Sequence, residues 1–177
     1  MSTEPGVVLG LNAAFQRRVA FEKPVVIGAV NRAAESGGGV GGKGQGAYLA
    51  AAAARPGSVA LAQFYGGDAG DALAEALRKR APGADEALWI RTASQTRICT
   101  TLVAGGDATE IVEPSGAVTA SELDALRAAL ASRTAPGLLA AGSLPPGVPA
   151  DFYSTCAAAT LSRGGKFLID AVAGLED

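Results

Sequence analysis

The sequence is short of the residues on which much enzyme chemistry depends. None of its 177 residues is histidine, which removes the usual general base and the commonest metal ligand. It has two cysteines, Cys99 and Cys156, which lie far apart and outside any CxxC pattern. Free thiols in a reducing compartment are therefore expected. Aromatic residues make up only 5% of the chain, so the core must be built mainly from alanine, leucine and valine.

Charge and hydrophobic patterning exclude further classes of protein. The net charge of −2 gives no basic field for nucleic acid or for an anionic membrane. No apolar run reaches the about 18 residues that indicate a membrane span, and the opening MSTEPG lacks the basic and apolar regions of a secretory signal. We therefore expect a cytoplasmic protein with no nucleic-acid or membrane partner. The length suits one domain, and a hydrophobic content of 49% excludes disorder.

Glycine, by contrast, is abundant and concentrated between Gly37 and Gly44. Six glycines there are interrupted only by Val40 and Lys43, and the alanine-rich run 47–54 that follows is a strong helix former. A glycine loop that leads into a helix presents free N–H groups and the positive end of the helix dipole. Lys43 adds a full positive charge. The pattern predicts a loop that binds a phosphorylated or polyhydroxylated small molecule.

Three other interpretations of this stretch compete with that prediction. The spacing Gly37-x-Gly39-x-x-Gly42 satisfies a dinucleotide-binding fingerprint, but that fingerprint requires a hydrophobic strand immediately before it, and GAVNRAAES stands there. Most of a P-loop is also present, but Gly44 stands where a Mg²⁺-binding serine or threonine is required. A flexible connector would explain the glycines. It would explain neither Lys43 nor the abrupt change to helix.

Strands alternate with helices of 10 to 15 residues along most of the chain, which predicts a parallel α/β sheet. A capping box at Thr119 and Glu122 opens one helix, and Asp68 is expected to cap another. Gly105 and Gly106 predict a hairpin turn. The predicted strands are Gly6–Asn12, Arg17–Glu22, Val25–Val30, Ser58–Tyr65, Ala87–Arg91, Arg97–Val103, Ala108–Glu113, Gly137–Ala141 and Phe167–Asp170. The predicted helices cover 47–54, 68–80, 119–132 and 151–162.

Polar residues follow several of these strands, at the sheet edge where open α/β sheets bind ligands. They are Asn12, Gly66–Gly67, Ser143 and Asp170, and each is also a plausible turn or cap residue. Arg32 and Arg97 are candidates for binding phosphate, because a guanidinium donates two parallel hydrogen bonds to an oxyanion. Both could also be solvated surface residues. The pair Arg17–Arg18 is expected on a solvated strand face.

Short motifs along nearly the whole chain resemble those of the ribokinase-like (PfkB) carbohydrate kinases, in particular the phosphofructokinase and tagatose-phosphate kinase branch. They occur in the order found in that family. The matches are Asn12–Gln16 (NPAxD), Val30–Ala33 (VxRA), Gly41–Gly46 (GGKGxN), Phe64–Gly70 (GFxGGxxG), Thr96–Arg97 (TR), Thr109–Glu113 (TExxE), Gly142–Gly147 (GSLPPG) and Leu168–Asp170 (LD).

The resemblance implies transfer of phosphate from ATP, with Mg²⁺, to a hydroxyl of a sugar or sugar phosphate such as fructose phosphate. It implies a doubly wound, mostly parallel sheet with a small β-ribbon lid over the sugar, formed here by about 15–32 and 97–113. The lid is often a dimer contact as well. The family's sugar-phosphate residues match Arg32, Lys43, Arg97 and Ser143. Asn12 and position 16 also fall in the sugar site, and its lining glycines match Gly41, Gly42 and Gly44.

Two departures from the family pattern fall in the sugar site. Gln16 replaces the aspartate of NPAxD that holds sugar hydroxyls, and Gly46 replaces the asparagine of GGKGxN. A third departure is larger: the family's NxxE segment, which organises Mg²⁺, and its GAGD segment, which supplies the anion hole and the catalytic base, are not in the 177 residues. We therefore expect no catalytic residue, no metal ligand and no ATP site here.

The resulting hypothesis is a single incomplete ribokinase-like domain, 1–177, that supplies the sugar-binding half of a kinase and is inactive alone. The alternative is a non-catalytic binding or scaffold protein derived from such kinases, which Gln16 and Gly46 favour. Half of a doubly wound sheet would leave the strand Phe167–Asp170 as an unpaired edge. We therefore expect either poor solubility or a partner that covers this edge, or a homodimer formed through the lid.

Overall fold

In the computed structural model, residues 4–171 are described, and they form nine strands and four helices. The limits of the predicted domain and the start of MSTEPG lie outside these residues. The strands are β1 (Gly6–Leu9), β2 (Ala14–Phe21), β3 (Glu35–Gly41), β4 (Val59–Tyr65), β5 (Trp89–Arg91), β6 (Arg97–Ala104), β7 (Asp107–Val112), β8 (Gly137–Ala141) and β9 (Lys166–Asp170). The helices are α1 (Lys43–Ala54), α2 (Gly67–Arg80), α3 (Ala120–Ala131) and α4 (Phe152–Leu161).

Five strands form the main sheet, in the order β5-β4-β1-β8-β9. Every pair of neighbours is parallel. Parallel neighbours need a crossover, and most crossovers here carry a helix. The main sheet confirms the predicted parallel α/β class. Each predicted strand that belongs to it is present, within a few residues at the ends.

The main sheet is covered by helices on both faces, as a doubly wound fold requires. Side chains alternate across β1: Val7 and Leu9 face one core cluster with Leu126 of α3 and Phe152 of α4. Val8 faces the other, whose members from the helices are Tyr48, Leu73, Ala74 and Leu77. Small aliphatic side chains dominate both clusters, as the low aromatic content predicts.

The second sheet has the order β3-β2-β6-β7, with β2 and β6 parallel and the other pairs antiparallel. Two predictions fail here. Residues 37–41 are not a loop but most of β3, because five residues of β2, 14–18, pair with this stretch. Val25–Val30 is not a strand: Pro24 stands directly before it, and the left-handed Gly28 (φ 83°) interrupts it. The predicted β6–β7 hairpin is confirmed.

The helix starts confirm some predictions and correct others. Thr119 and Glu122 form the complete capping box at the start of α3. Gly66, not Asp68, is the N-cap of α2, and Asp68 lies inside its first turn. Helix α1 begins at Lys43, with Gly42 as N-cap at φ 97°. Of the predicted anion-binding loop, only Gly42 remains between the end of β3 and the start of α1. Within residues 4–171, no helix is long and apolar enough to cross a membrane.

Strand β9 forms one edge of the main sheet. Among the described strands it pairs only with β8. Its side chains Leu168 and Ile169 are 67% and 41% exposed. The expected hydrophobic edge is therefore present in the part of the chain that the structure describes.

Candidate functional site

The loops after β1 and β8 meet through the side chain of Asn12. Because these strands are parallel neighbours, their carboxyl ends lie together. Asn12 Nδ2 donates a hydrogen bond to Ser143 Oγ at 2.9 Å, and Ser115 Oγ donates to Asn12 Oδ1 at 2.8 Å. Asn12 thus joins three segments of chain, and it holds Ser143 at the carboxyl edge of the main sheet.

Arg97 brings a positive charge to the junction between the two sheets. It begins β6 and pairs with Ala14, the first residue of β2. Its guanidinium donates from Nη2 to the Asn12 carbonyl oxygen at 3.2 Å. Its Nε is buried and has no partner among the residues described. The side chain is thereby fixed beside Asn12, with hydrogen-bonding capacity left over.

The N-terminus of α1 lies beside the ends of β8 and β9. The Gly142 N–H donates to the Asp170 carbonyl oxygen at 2.8 Å, and Lys43 Nζ lies 3.6 Å from Asp170 Oδ1. The first turn of α1 contains no acidic residue, and no side chain from the described region caps it. Free N–H groups, the helix dipole and the half-exposed Lys43 make this end electropositive.

Two glycines at this helix start are required by close packing. A Cβ on Gly44 would lie 2.2 Å from the Cα of Gly10, so α1 presses directly against the end of β1. A Cβ on Gly42 would lie 2.2 Å from Gln45 Oε1. Substituting either glycine would therefore displace the start of α1 from the sheet.

A buried pair of glutamines fixes the same junction, and sequence reasoning missed it. Gln45 Nε2 donates to the Gly10 carbonyl oxygen at 2.7 Å and to Gln63 Oε1 at 3.0 Å. Both side chains are fully buried. The available signal was Gln63 itself, a polar residue within the otherwise apolar strand VALAQFY. This pair ties α1 to β1 and β4, and so holds Lys43 in place.

One face of β3 carries no side chains near the site. Gly37, Gly39 and Gly41 alternate with residues that point to the opposite face. A Cβ on Gly37 or Gly39 would meet no atom of the described residues within 4 Å, whereas one on Gly38 would lie 2.3 Å from the Phe15 ring. The fold therefore requires glycine at position 38 but not at 37 or 39. Glycine in a strand is also found where a ligand approaches the backbone closely.

Gln16 lies on this open face, opposite Gly39 in β3 and Cys99 in β6. Its Nε2 donates to Thr101 Oγ1 at 2.7 Å. Burial raises the pKa of the Cys99 thiol, so at neutral pH this neighbour is an uncharged packing group. The structure thus brings Gln16 together with Gly41, at the end of the second sheet nearest the main sheet.

Arg32 is not brought to this place. Ala14 pairs with Gly41 near the main sheet, whereas Ala20 pairs with Glu35 at the far end of the second sheet. Arg32 lies exposed in the loop beyond that far end. Strand β2 alone spans roughly 23 Å between the two ends at about 3.3 Å per residue. Within one chain, Arg32 is therefore distant from the other predicted site residues.

Gly66, which follows β4, also has a structural explanation. A Cβ there would lie 2.3 Å from the Ser94 carbonyl oxygen, and the Gly66 N–H donates to Thr96 Oγ1 at 3.0 Å. The predicted residues that do converge at the carboxyl edge are Asn12, Gln16, Gly41, Gly42, Lys43, Gly44, Arg97 and Ser143.

Comparison with solved structures identifies this architecture. Phosphofructokinase-2 from Escherichia coli in complex with fructose-6-phosphate matches with a TM-score of 0.82 over 96% of this chain, at 20% identity. The tetrameric inhibited form of that enzyme matches with a TM-score of 0.81. A ribokinase from Arabidopsis thaliana complexed with ribose and ATP matches with a TM-score of 0.68 over 95% of this chain, at 18% identity.

The chain has the ribokinase-like fold. It spans about half of the matched kinases, 55% of the phosphofructokinase-2 complex and 53% of the ribokinase. No family model matches the sequence, and no curated protein does. The likeness is therefore one of fold, and the expected doubly wound architecture is confirmed as the N-terminal part of that ribokinase-like fold.

The family resemblance implies ATP and Mg²⁺, and the described residues do not fit the metal ion. Residues 4–171 contain no group of three histidine, cysteine or acidic side chains able to hold a metal ion. The carboxylate of Asp170, beside the start of α1, faces the Lys43 ammonium group. The α1 terminus with Lys43 suits a phosphate group that is already part of a ligand.

Proposed function

We propose that this chain binds a sugar phosphate, as the substrate-binding half of an ATP-dependent sugar kinase. The observation that carries the proposal is the open face of β3, where Gly37 and Gly39 are required by no neighbour and Gly39 pairs with Gln16. A sugar ring can lie on a strand without side chains. Fructose phosphates are the first candidates, because fructose-6-phosphate is bound in a solved structure of this fold.

The phosphate group is assigned to the electropositive start of α1. Lys43, the free first-turn N–H groups and Arg97 supply the positive charge, and Ser143 supplies a hydroxyl. Arg32 reaches this position only from a second copy of the chain, or after the loop that carries it moves. The loop around Arg32 exposes Ile27 by 94% and also Val26 and Val30. It is therefore a candidate contact for a lid-mediated homodimer.

Phosphate transfer itself is assigned to groups beyond these residues. The GAGD and NxxE segments that the family resemblance implies are not in the sequence. We propose that a segment or partner that extends the main sheet past β9 supplies the base, the metal site and the nucleotide site. The 177-residue chain alone is then expected to bind its sugar phosphate without turning it over.

Ligand-dependent thermal stability tests this function. Fructose 6-phosphate at about 100 times its Kd should stabilise the chain by about 2.7 kcal/mol, read as a rise in Tm. Lys43→Met should lose most of that rise, because the phosphate loses its charged partner. Lys79→Met is the matched control, since Lys79 lies at the C-terminal end of α2, at the opposite edge of the sheet.

The alternative is a non-catalytic scaffold derived from the same fold. Two observations favour it: Gln16 is an amide where the family resemblance implies a carboxylate, and Gly46 offers no side chain. A scaffold would show no Tm rise with fructose phosphates, tagatose phosphates or ribose, and Lys43→Met would behave like Lys79→Met. That result would reject the sugar-phosphate proposal.

A further inference from the structure

A chain of three side chains runs across the open face of the second sheet and sets the orientation of Gln16. Gln16 Nε2 donates to Thr101 Oγ1 at 2.7 Å, and Thr101 Oγ1 donates to a carboxylate oxygen of Glu110. The three residues come from β2, β6 and β7, which are adjacent in the sheet. Thr101 pairs directly with Glu110 across the β6–β7 ladder.

The direction of this chain follows from its last member. An ionised carboxylate has acceptors only, so the single hydroxyl hydrogen of Thr101 goes to Glu110. The Thr101 oxygen can then only accept, and what it accepts is an N–H of the Gln16 amide. The amide oxygen is thereby turned the other way. Glu110 thus acts on Gln16 through Thr101, although the two residues are two strands apart.

The Gln16 amide oxygen faces Gly41. A Cβ on Gly41 would lie 3.2 Å from Gln16 Oε1, so the missing side chain leaves the oxygen open. No hydrogen-bond donor within residues 4–171 reaches this oxygen, and it is not among the buried atoms without a partner. An accessible acceptor, fixed in direction, therefore stands between the glycine face of β3 and the start of α1.

We propose that Thr101 and Glu110 are positioning residues that hold the Gln16 amide oxygen toward a ligand hydroxyl. This inference rests on the proposed function and specifies the chemistry of its site. The group that meets Gln16 must be a donor, such as a sugar hydroxyl. A phosphate or carbonyl oxygen that approaches from the Gly41 side meets the amide oxygen, which is also an acceptor, and gains no hydrogen bond from it. The sugar ring, not its phosphate, thus lies over Gln16.

The orientation also explains how an amide can stand where the family resemblance implies a carboxylate. A free glutamine amide would present its donor and acceptor sides about equally. The Thr101–Glu110 pair removes that ambiguity and keeps the acceptor role without the charge. The remaining difference is strength, since hydrogen bonds to charged groups are roughly twice as strong as neutral ones.

Three variants of the full 177-residue chain test the inference, with fructose 6-phosphate as the probe and Kd measured by calorimetry. Thr101→Val removes the hydroxyl, frees the amide to rotate, and should raise Kd about 2- to 12-fold, the equivalent of one hydrogen bond. Thr101→Ser keeps the hydroxyl and should restore binding to within about 2-fold. Thr100→Val is the matched control, because successive strand residues point to opposite faces.

A second measurement does not depend on the ligand. In the unaltered chain and in Thr101→Ser, the Gln16 side-chain N–H that donates to residue 101 should exchange slowly with solvent, and in Thr101→Val both hydrogens of this ¹⁵N-labelled amide should exchange like those of a free amide. Rapid exchange of both hydrogens in the unaltered chain would overturn the inference. So would an unchanged Kd in Thr101→Val when the unaltered chain binds. No binding by the unaltered chain would overturn the proposed function and, with it, the recognition role of Gln16.

Discussion

The main sheet and the second sheet differ in residue composition and in how many of their faces are buried. Strands β1, β4 and β8 consist mostly of valine, leucine and alanine, with side chains buried on both faces under helices. The second sheet is covered on one face near α2, where Phe15 and Val40 pack against a core cluster. Its other face is glycine in β3 and polar at Gln16, Arg18 and Thr101, and no helix of the described chain covers it.

The difference shows which residues the fold requires. Removing a side chain from the main sheet would leave a cavity, so its residues are explained by packing. Adding a methyl group at Gly37 or Gly39 of the second sheet would meet no neighbour. Packing therefore does not explain these glycines, and the approach of a ligand is the explanation that we propose. The contrast is the main support for placing the ligand on β3.

The largest expected effect is on the stability of the main sheet. Leu61→Ala should lower the free energy of unfolding by about 2–5 kcal/mol, because Leu61 is completely buried in β4 and its loss leaves a cavity. Ile111→Ala in β7 should change it by less than about 0.5 kcal/mol, because Ile111 is 51% exposed. Urea unfolding followed by circular dichroism measures both.

Equal losses of unfolding free energy in Leu61→Ala and Ile111→Ala would contradict this difference between the two sheets. They would mean that the second sheet has its own core, for example a face that a second copy of the chain buries. Repeating the measurement over a range of protein concentrations separates these explanations, because stability that depends on association rises with concentration.

The next effect distinguishes two adjacent glycines within β3. Gly38→Ala should destabilise the chain by about 1–3 kcal/mol, because its methyl group would collide with the Phe15 ring. Gly39→Ala should be neutral or stabilise by about 0.4–1 kcal/mol through the unfolded state. It should nevertheless reduce the Tm rise given by fructose 6-phosphate, because its methyl group would occupy the space above the strand.

The pair is informative because both variants add the same methyl group one residue apart. If Gly39→Ala left ligand stabilisation unchanged, the open face of β3 would not be the ligand surface. If Gly38→Ala cost nothing, Phe15 would have room to move, and the structural reason for that glycine would be lost. Thermal unfolding with and without the ligand gives both readings from one set of samples.

The same contrast explains what sequence reasoning could and could not predict. Strand β8 was predicted with its observed bounds, Gly137–Ala141, and the capping box at Thr119 marked the start of α3. Both signals are local: a run of buried aliphatic residues and a cap. The sequence did not predict β3, because glycine is a poor strand former. Only the pairing of β3 with β2 holds this glycine-rich segment extended.

The candidate site was predictable where residues follow strands of the main sheet. Asn12 and Ser143 converge because the parallel strands β1 and β8 end at one edge, and Lys43 lies near them because α1 begins beside the ends of β8 and β9. Arg32 does not join them, because its position depends on which way the second sheet projects, and no local pattern encodes that direction. The Gln45–Gln63 pair and the Thr101–Glu110 pair join residues distant in sequence, so only the folded chain reveals them.

The smallest expected effect on stability, but a clear one on association, concerns the edge of the main sheet. Leu168→Glu places a charge on β9, where the side chain is 67% exposed. It should change the free energy of unfolding by less than about 0.5 kcal/mol while it reduces self-association, because charged side chains prevent edge-to-edge strand pairing. Leu161→Glu on α4 is the matched control, since Leu161 is 58% exposed but lies on no strand edge.

Light scattering across a range of concentrations measures the effect. If both variants reduced association equally, general surface hydrophobicity would be responsible, and β9 would not be the surface that a further segment or partner covers. If only Leu168→Glu did, the edge would be the point at which the sheet is extended, and the same variant should then block any added polypeptide that restores phosphate transfer.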